Sequence, residues 1–294
     1  MTIDISNELN KLSLDNYLKK EEKKEEKEEK NNNINKQSDG LSNRIKQMSN
    51  EGRHFTDDST ISEKRLMKAI NNIILYTKEK LKKINGDVIH KNIITLYDCQ
   101  EYFHKIGGPE PNPENKKVYM KPDGGILFAN IKDELIPLLI VEDKVQGTND
   151  KLFSKNKKRQ ATGNAIERAA KNIRGAEMIF SGMNIFPYVL FASGCDFHSS
   201  ETISKRFEMM NMGYPNHYID LNPNKNNEEI EESIENELQN IIIIKRNKIN
   251  IVSIFIKAHK WNEMEHNSSL WKTEEYEKIL CRIIDIVLKE LFDI

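Results

Sequence analysis

The chain has 294 residues, 37% of them apolar, and a formal net charge of -1 at neutral pH. That is length for one large domain or two ordinary ones, with enough apolar content for a buried core, and it excludes an all-over basic coat for nucleic acid. No run approaches the ~18 consecutive apolar residues of a membrane span, the start Met1-Thr2-Ile3-Asp4 lacks a basic and then apolar leader, and Cys99, Cys195 and Cys281 are too scattered for a disulfide framework or a paired-cysteine zinc site. A cytoplasmic protein with reduced thiols is expected.

Charge is segregated along the chain. Residues 18–37 are nearly all Lys, Glu, Asn and Gln, too poor in apolar side chains to repay the entropy of ordering, so residues 1–50 are expected to form a charged, largely disordered tail. One domain is expected over 51–294. It opens with a helix from about Glu63 to Ile84, in which Leu66, Ile70, Ile73 and Leu81 recur at helical spacing, Ser62 is the N-cap and Asn85-Gly86 the stop. A Gly- and Pro-rich loop follows, then strands at 117–120, 126–129 and 136–144, the last two pairing as a hairpin.

Lys151, Lys155, Lys157, Lys158 and Arg159 crowd a basic loop. After it the pattern predicts a helix over Asn164 to Phe180, with Ile166, Ala169, Ile173, Ala176 and Ile179 on its apolar face, and a buried strand at Tyr188–Phe191. An acidic amphipathic helix near Glu228–Leu238, a β-branched run at Ile249–Ile256 and a closing helix over Glu274–Leu291 complete the domain. Strand, helix, strand in this order predict an α/β sheet with a crossover connection. Trp261, Trp271 and Ile241–Ile244 are read as packing, and Cys195 with His198 as a zinc-like spacing without the second pair that a site requires.

Chemistry concentrates in two places. Pro122-Asp123-Gly124-Gly125 is followed, nineteen residues after the aspartate, by Glu142-Asp143-Lys144. Strand alternation puts Glu142 and Lys144 on one face and Asp143 on the other, and the hairpin brings Asp123 beside them. Two carboxylates and an ammonium at one end of a sheet suit phosphodiester hydrolysis: Asp123 and Glu142 offer hard oxygens to Mg²⁺, and Lys144 offsets phosphate charge. Adjacent carboxylates favour the charged form of Lys144, which places electrostatics ahead of a free-amine base. Taken alone, an acid followed by x-Lys is more often solvated charge.

The second motif, Ala161-Thr162-Gly163-Asn164-Ala165-Ile166-Glu167-Arg168, stands at the mouth of the next helix. Gly163 and Asn164 suit an ordinary helix cap. They equally suit a helix end presented to the major groove, with the Asn164 carboxamide on adenine, small Gly163 and Ala165 allowing close approach, Arg168 donating to bases or phosphates and Glu167 holding a guanidinium.

These segments, with Phe186-Pro187-Tyr188-Val189-Leu190-Phe191 beyond them, resemble the EcoRI family of type II restriction endonucleases in order and spacing, most clearly over residues 120–195 and more faintly from Arg206 to Pro215. The resemblance implies a restriction-endonuclease-like, PD-(D/E)xK fold: α/β, with a central mixed five-stranded sheet flanked by helices and a catalytic and recognition core over 117–215. It implies Mg²⁺ as cofactor, double-stranded DNA as substrate and a homodimer whose two-fold axis mirrors a palindromic site. By that analogy Asp123, Glu142 and Lys144 are catalytic, and Asp123, Glu142 and the backbone carbonyl of Asp143 hold the metal. Asn164, Ala165 and Arg168 would read the inner AATT bases, supported by Glu167. Gln146 and Ala161 fall at further base or methyl contacts, and Arg206 at an outer recognition arginine.

Two positions depart from the family pattern. Asp143 stands where Ala is common, so its charge needs solvent or a partner, and Ile203 stands where a second recognition arginine is expected. The expected activity is cleavage of both strands at an AATT-centred palindrome, GAATTC as first choice, to 5′-phosphates. The setting would be a bacterial or archaeal restriction-modification system whose methyltransferase shares the site. Two readings compete. A DNA-binding protein without nuclease activity has the intact Asp123, Glu142 and Lys144 against it, and a repair or recombination nuclease would need no adenine-reading helix.

Overall fold

A computed structural model describes residues 55–294, apart from 106, 133, 146–162, 180–182, 184, 199–200, 212–215, 242–243, 246–248 and 261–268. The charged tail and the basic loop at 151–159 therefore lie outside the described residues. The long amphipathic helix α1 spans Phe55–Leu81 and runs on as a single 3₁₀ turn to Ile84, where Asn85 in the left-handed conformation (φ 55°) ends it. It starts well before Ser62, so that serine is not an N-cap but an interior, fully buried residue.

The sheet is built around the predicted hairpin, β4 (Gly125–Ile131) antiparallel to β5 (Glu134–Val145). Strand β5 pairs in parallel with β6 (Ile185–Ser193), β6 with β9 (Ile249–His259), and β9 with β7 (His217–Leu221). Parallel neighbours need a crossover, and α3 (Gly163–Ile179) lies between β5 and β6 in the chain. The fold is the mixed α/β architecture expected, with seven strands rather than five. The strands that the sequence reading did not give are β7, β1 (Asp87–Lys91), antiparallel to β4, and the two-residue β8 (Ile244–Lys245) on β9. Strand β1 has no fully buried residue and β8 is too short for any period, so neither carries the alternation that betrays a strand. The strand expected over 117–120 shortens to β3 (Tyr119–Met120), paired with β2 (Ile94–Thr95), because Pro113–Lys117 forms a 3₁₀ helix.

Side-chain alternation divides the core between the two faces of the sheet. One face, with Leu139, Val141, Val189, Phe191 and Phe255, is covered by α1, by α5 (Asn227–Gln239) and by the closing helix α6 (Thr273–Phe292). The other, with Ile140, Tyr188, Leu190 and Ile254, is covered by α2 (Leu96–Lys105), α3 and α4 (Glu201–Met210). Each large aliphatic or aromatic side chain so buried stabilises the fold by ~1.5–3 kcal/mol. Glu142 and Lys144 share the parity of Ile140 and face α3. Asp143 shares that of Val141 and faces α1 and α6.

Candidate active site

Strand β4 begins in a tight turn. Gly125 N–H donates to Pro122 O (3.0 Å), Gly124 N–H to Val141 O (2.9 Å) and His90 Nε2 to Gly124 O (3.0 Å). The paired glycines follow from crowding: a Cβ on Gly124 would lie 2.7 Å from Val141 Cβ, and Gly125 has φ +72° with His90 Nε2 2.3 Å from its would-be Cβ. Pressed between β1 and β5, the turn lays Asp123 against Glu142 and Asp143. Asp123 N–H donates to Glu142 Oε2 (3.3 Å), and Asp143 N–H donates to Asp123 Oδ2 (3.1 Å).

The Lys144 ammonium stands among three oxygens: Glu142 Oε1 at 2.5 Å, Asp123 Oδ2 at 2.7 Å and Asp143 O at 2.9 Å. These are the three donors assigned to a metal by resemblance, all within reach of one cation. Glu142 is 2% exposed. Burial raises its pKa, the Asp123 charge adds to the rise, and Lys144 only partly opposes them. Burial alone would lower the pKa of Lys144, but Glu142 and Asp123 outweigh it and the net shift is upward, as expected for a group that stays charged.

Among the described residues no three His, Cys, Asp or Glu side chains gather into a metal cluster. What gathers is two carboxylates and a carbonyl, the hard-oxygen set that suits a Mg²⁺ ion keeping waters as its remaining ligands. A further observation fits a polar guest. The Tyr188 hydroxyl, on the same sheet face, is buried with no hydrogen-bond partner among the described residues, and burial together with the Glu142 and Asp123 charges pushes its pKa well up.

On the opposite face, the Asp143 carboxylate has found a partner. Ser62 Oγ donates to its Oδ2 at 2.6 Å and stands 3.0 Å from the Tyr276 hydroxyl of α6, while Oδ1 is buried with no hydrogen-bond partner among the described residues. Burial is the largest cause of a pKa pushed from 3.8 up to about 6. The folded protein therefore holds this proton to higher pH than the unfolded chain, so stability is full below the unfolded value, declines between about pH 4 and 6, and stays lower above. Asp143→Asn keeps the shape and removes the charge. In urea unfolding with chelator present, it is expected to stabilise the metal-free protein by ~2–3 kcal/mol at pH 8 and by almost nothing at pH 3, at 1.36 kcal/mol per pH unit. An equal effect at both pH values would count against a buried charge.

The remaining predicted residues distribute as follows. Asn164, Ala165 and Arg168 stand in the first two turns of α3, where only their backbone is described, and Glu167 is exposed there. Arg206 is exposed on α4. Gln146 and Ala161 lie outside the described residues. Sequence reading missed the supports of the site. Ser62 and Tyr276 give no local signal of meeting Asp143, His90 sits in an unpredicted strand, and Asn172 of α3 donates from Nδ2 to Glu142 Oε1 at 2.8 Å.

Comparison with known proteins gives one finding of family. The family model described as restriction endonuclease EcoRI matches residues 55–290, the α/β unit just described. A search of curated proteins found no match.

Proposed function

The chain belongs to the EcoRI family of restriction endonucleases, and from that premise we propose a Mg²⁺-dependent type II enzyme, acting as a homodimer, that cuts both strands of an AATT-centred palindrome, GAATTC first among them, to leave 5′-phosphates. The observation that carries the proposal is the meeting of Asp123, Glu142 and the Asp143 carbonyl around one cation, at the carboxyl end of β5. Those three oxygens would hold the metal. When bound there, Mg²⁺ supplies positive charge to a phosphate oxygen and acidifies water.

The protein's own groups do the rest. Lys144 contacts the same three oxygens, and with a metal held there its ammonium would be free to turn to a phosphate oxygen and offset the negative charge that develops on it. Asp123 N–H and Asn172 hold Glu142 at its two oxygens. At the start of α3, Asn164, Ala165 and Arg168, supported by Glu167, would take the inner bases, with Ala161 and Gln146 assigned to further base or methyl contacts and Arg206 to the outer pair. Two copies related by a two-fold axis would match the palindrome, and a methyltransferase of the same specificity would protect the host.

Plasmid DNA incubated with the pure full-length chain, with and without Mg²⁺, tests this directly. The expected result is metal-dependent fragments whose sequenced ends share AATT at the 5′ overhang. Random ends, or no cutting with any divalent ion, would remove the proposal. Asn164→Ala is expected to weaken specific binding by ~1–3 kcal/mol for a lost bidentate contact and to leave binding to scrambled duplex unchanged. Competition titrations at fixed salt measure both.

A further inference from the structure

Helix α3 carries the proposed recognition residues in its first turns, and eight residues after Asn164 it carries Asn172. At 1.5 Å per residue the separation is ~12 Å along the axis. Among the described residues, Asn172 gives Glu142 its one hydrogen bond from outside the β4–β5 hairpin and the turn before it. The others come from the Asp123 N–H and Lys144.

The chemistry of the contact is selective. A second ammonium beside Glu142 would compete with a bound cation, whereas an amide N–H fixes the carboxylate without bringing charge. Asn172 is only half-buried, so the core does not depend on its side chain. The helix is also a rigid element, and a small displacement of its first turn is carried to residue 172.

We infer that Asn172 is a positioning residue coupling DNA recognition to metal binding: seating α3 on its bases sets, through this hydrogen bond, the orientation in which Glu142 receives the cation. The inference rests on the nuclease reading above. Coupling of this kind is reciprocal. If cognate DNA tightens the metal site, the metal tightens DNA binding by the same factor, and that factor is measurable without turnover.

The experiment compares DNA affinity in chelator with affinity in saturating Ca²⁺, an oxygen-seeking probe ion, on a duplex bearing the sequence found at the cut ends. Probe integrity is followed in the same samples. Wild type, Asn172→Leu, which keeps the approximate volume without a donor, and Asn172→Ser, which is the milder change, are each measured. The ratio of the two affinities is read, not the affinity itself. The wild-type ratio is expected to exceed that of either variant by ~10-fold or more, the range for lost outer partners of a metal ligand.

Variants whose ratio equals the wild-type ratio would overturn the role of Asn172, even if both their affinities fell, since that pattern marks a direct DNA contact. A wild-type protein with no calcium-dependent gain on any duplex would instead remove the nuclease reading itself. Should Asn172→Leu fail to fold by circular dichroism, Asn172→Ser decides.

Discussion

Replacing Glu142 by Gln is expected to abolish DNA cleavage while raising the melting temperature of the metal-free protein. The two effects have one cause. Glu142 is 2% exposed, and burial, reinforced by Asp123, raises its pKa despite the attraction of Lys144. The folded chain thus carries an ionised carboxylate at a position that disfavours it. Gln has the same shape, and its carbonyl still accepts from Asn172 or from the Asp123 N–H, so the packing survives. Lys144 keeps Asp123 at 2.7 Å and the Asp143 carbonyl at 2.9 Å.

What the amide lacks is the anionic oxygen. Loss of an outer partner costs a metal site ~10–100-fold, and loss of a direct ligand exceeds that, so single-turnover cleavage should fall by more than ~10³-fold. Gel-resolved plasmid cleavage and thermal denaturation in chelator measure the pair of effects. Cutting within tenfold of wild type would dismiss Glu142 as a metal ligand. A lower melting temperature would mean that its neighbours stabilise the charge outright, and the trade of stability for function would disappear.

Period-two alternation made much of this geometry legible. It separated Glu142 and Lys144 from Asp143, and the structure sets the first pair toward α3 and the third residue toward Ser62. The hairpin and the crossover helix were legible because they are long, twelve residues of β5 around one apolar run and seventeen of α3 with apolar residues at helical spacing. Short or lightly buried elements were not. Helix α2 buries Cys99 alone, although its reciprocal cap was there to find: Thr95 N–H donates to Asp98 Oδ2 at 2.7 Å and Asp98 N–H to Thr95 Oγ1 at 3.0 Å.

Ser62 misled because a serine ahead of an apolar run looks alike whether it caps a helix or lies inside one. The difference was decided 81 residues away in the chain, at Asp143. Asn172 and Tyr276 belong to the same class. Each acts through a contact between elements, and helical period gives the face of a residue without naming what that face will meet.

The largest loss of stability is expected from Lys257→Met, behind the site. Lys257 is 1% exposed, and its ammonium donates to both oxygens of Glu275 at 2.7 Å, with Glu275 itself 5% exposed. Burial lowers the pKa of Lys257, with Glu275 opposing, so each charge is tolerated because the other is there. Met fills the space of the lysine stem and leaves the carboxylate with the Lys272 N–H at 2.7 Å. Stranding one ion of a buried pair costs ~3–5 kcal/mol.

Removing both charges is a different matter. Lys257→Met with Glu275→Leu takes two ions out of a dry interior, and such exchanges are neutral or stabilising, offset here by ~1 kcal/mol for the lost contact at the start of α6. Urea midpoints at unchanged slope separate the two variants. The double variant should recover most of what the single one loses. Equal losses in both would mean that the pair itself, and not the stranded carboxylate, carries the stability.

The consequence reaches the site through packing. Lys257 pairs across β9 and β6 with Ser193, and the neighbouring Ala192 accepts from Trp271 Nε1 at 3.2 Å. Phe191 meets the rings of Trp271 and Tyr276 edge-on at 5.4 and 4.7 Å. Tyr276, next in sequence to Glu275, ends on Ser62 and so on Asp143. The single variant is therefore expected to show weakened cleavage while still folded, and the double variant to cut at close to the wild-type rate. A folded single variant cutting at the full rate would show that the buried pair supports the fold without aligning β5.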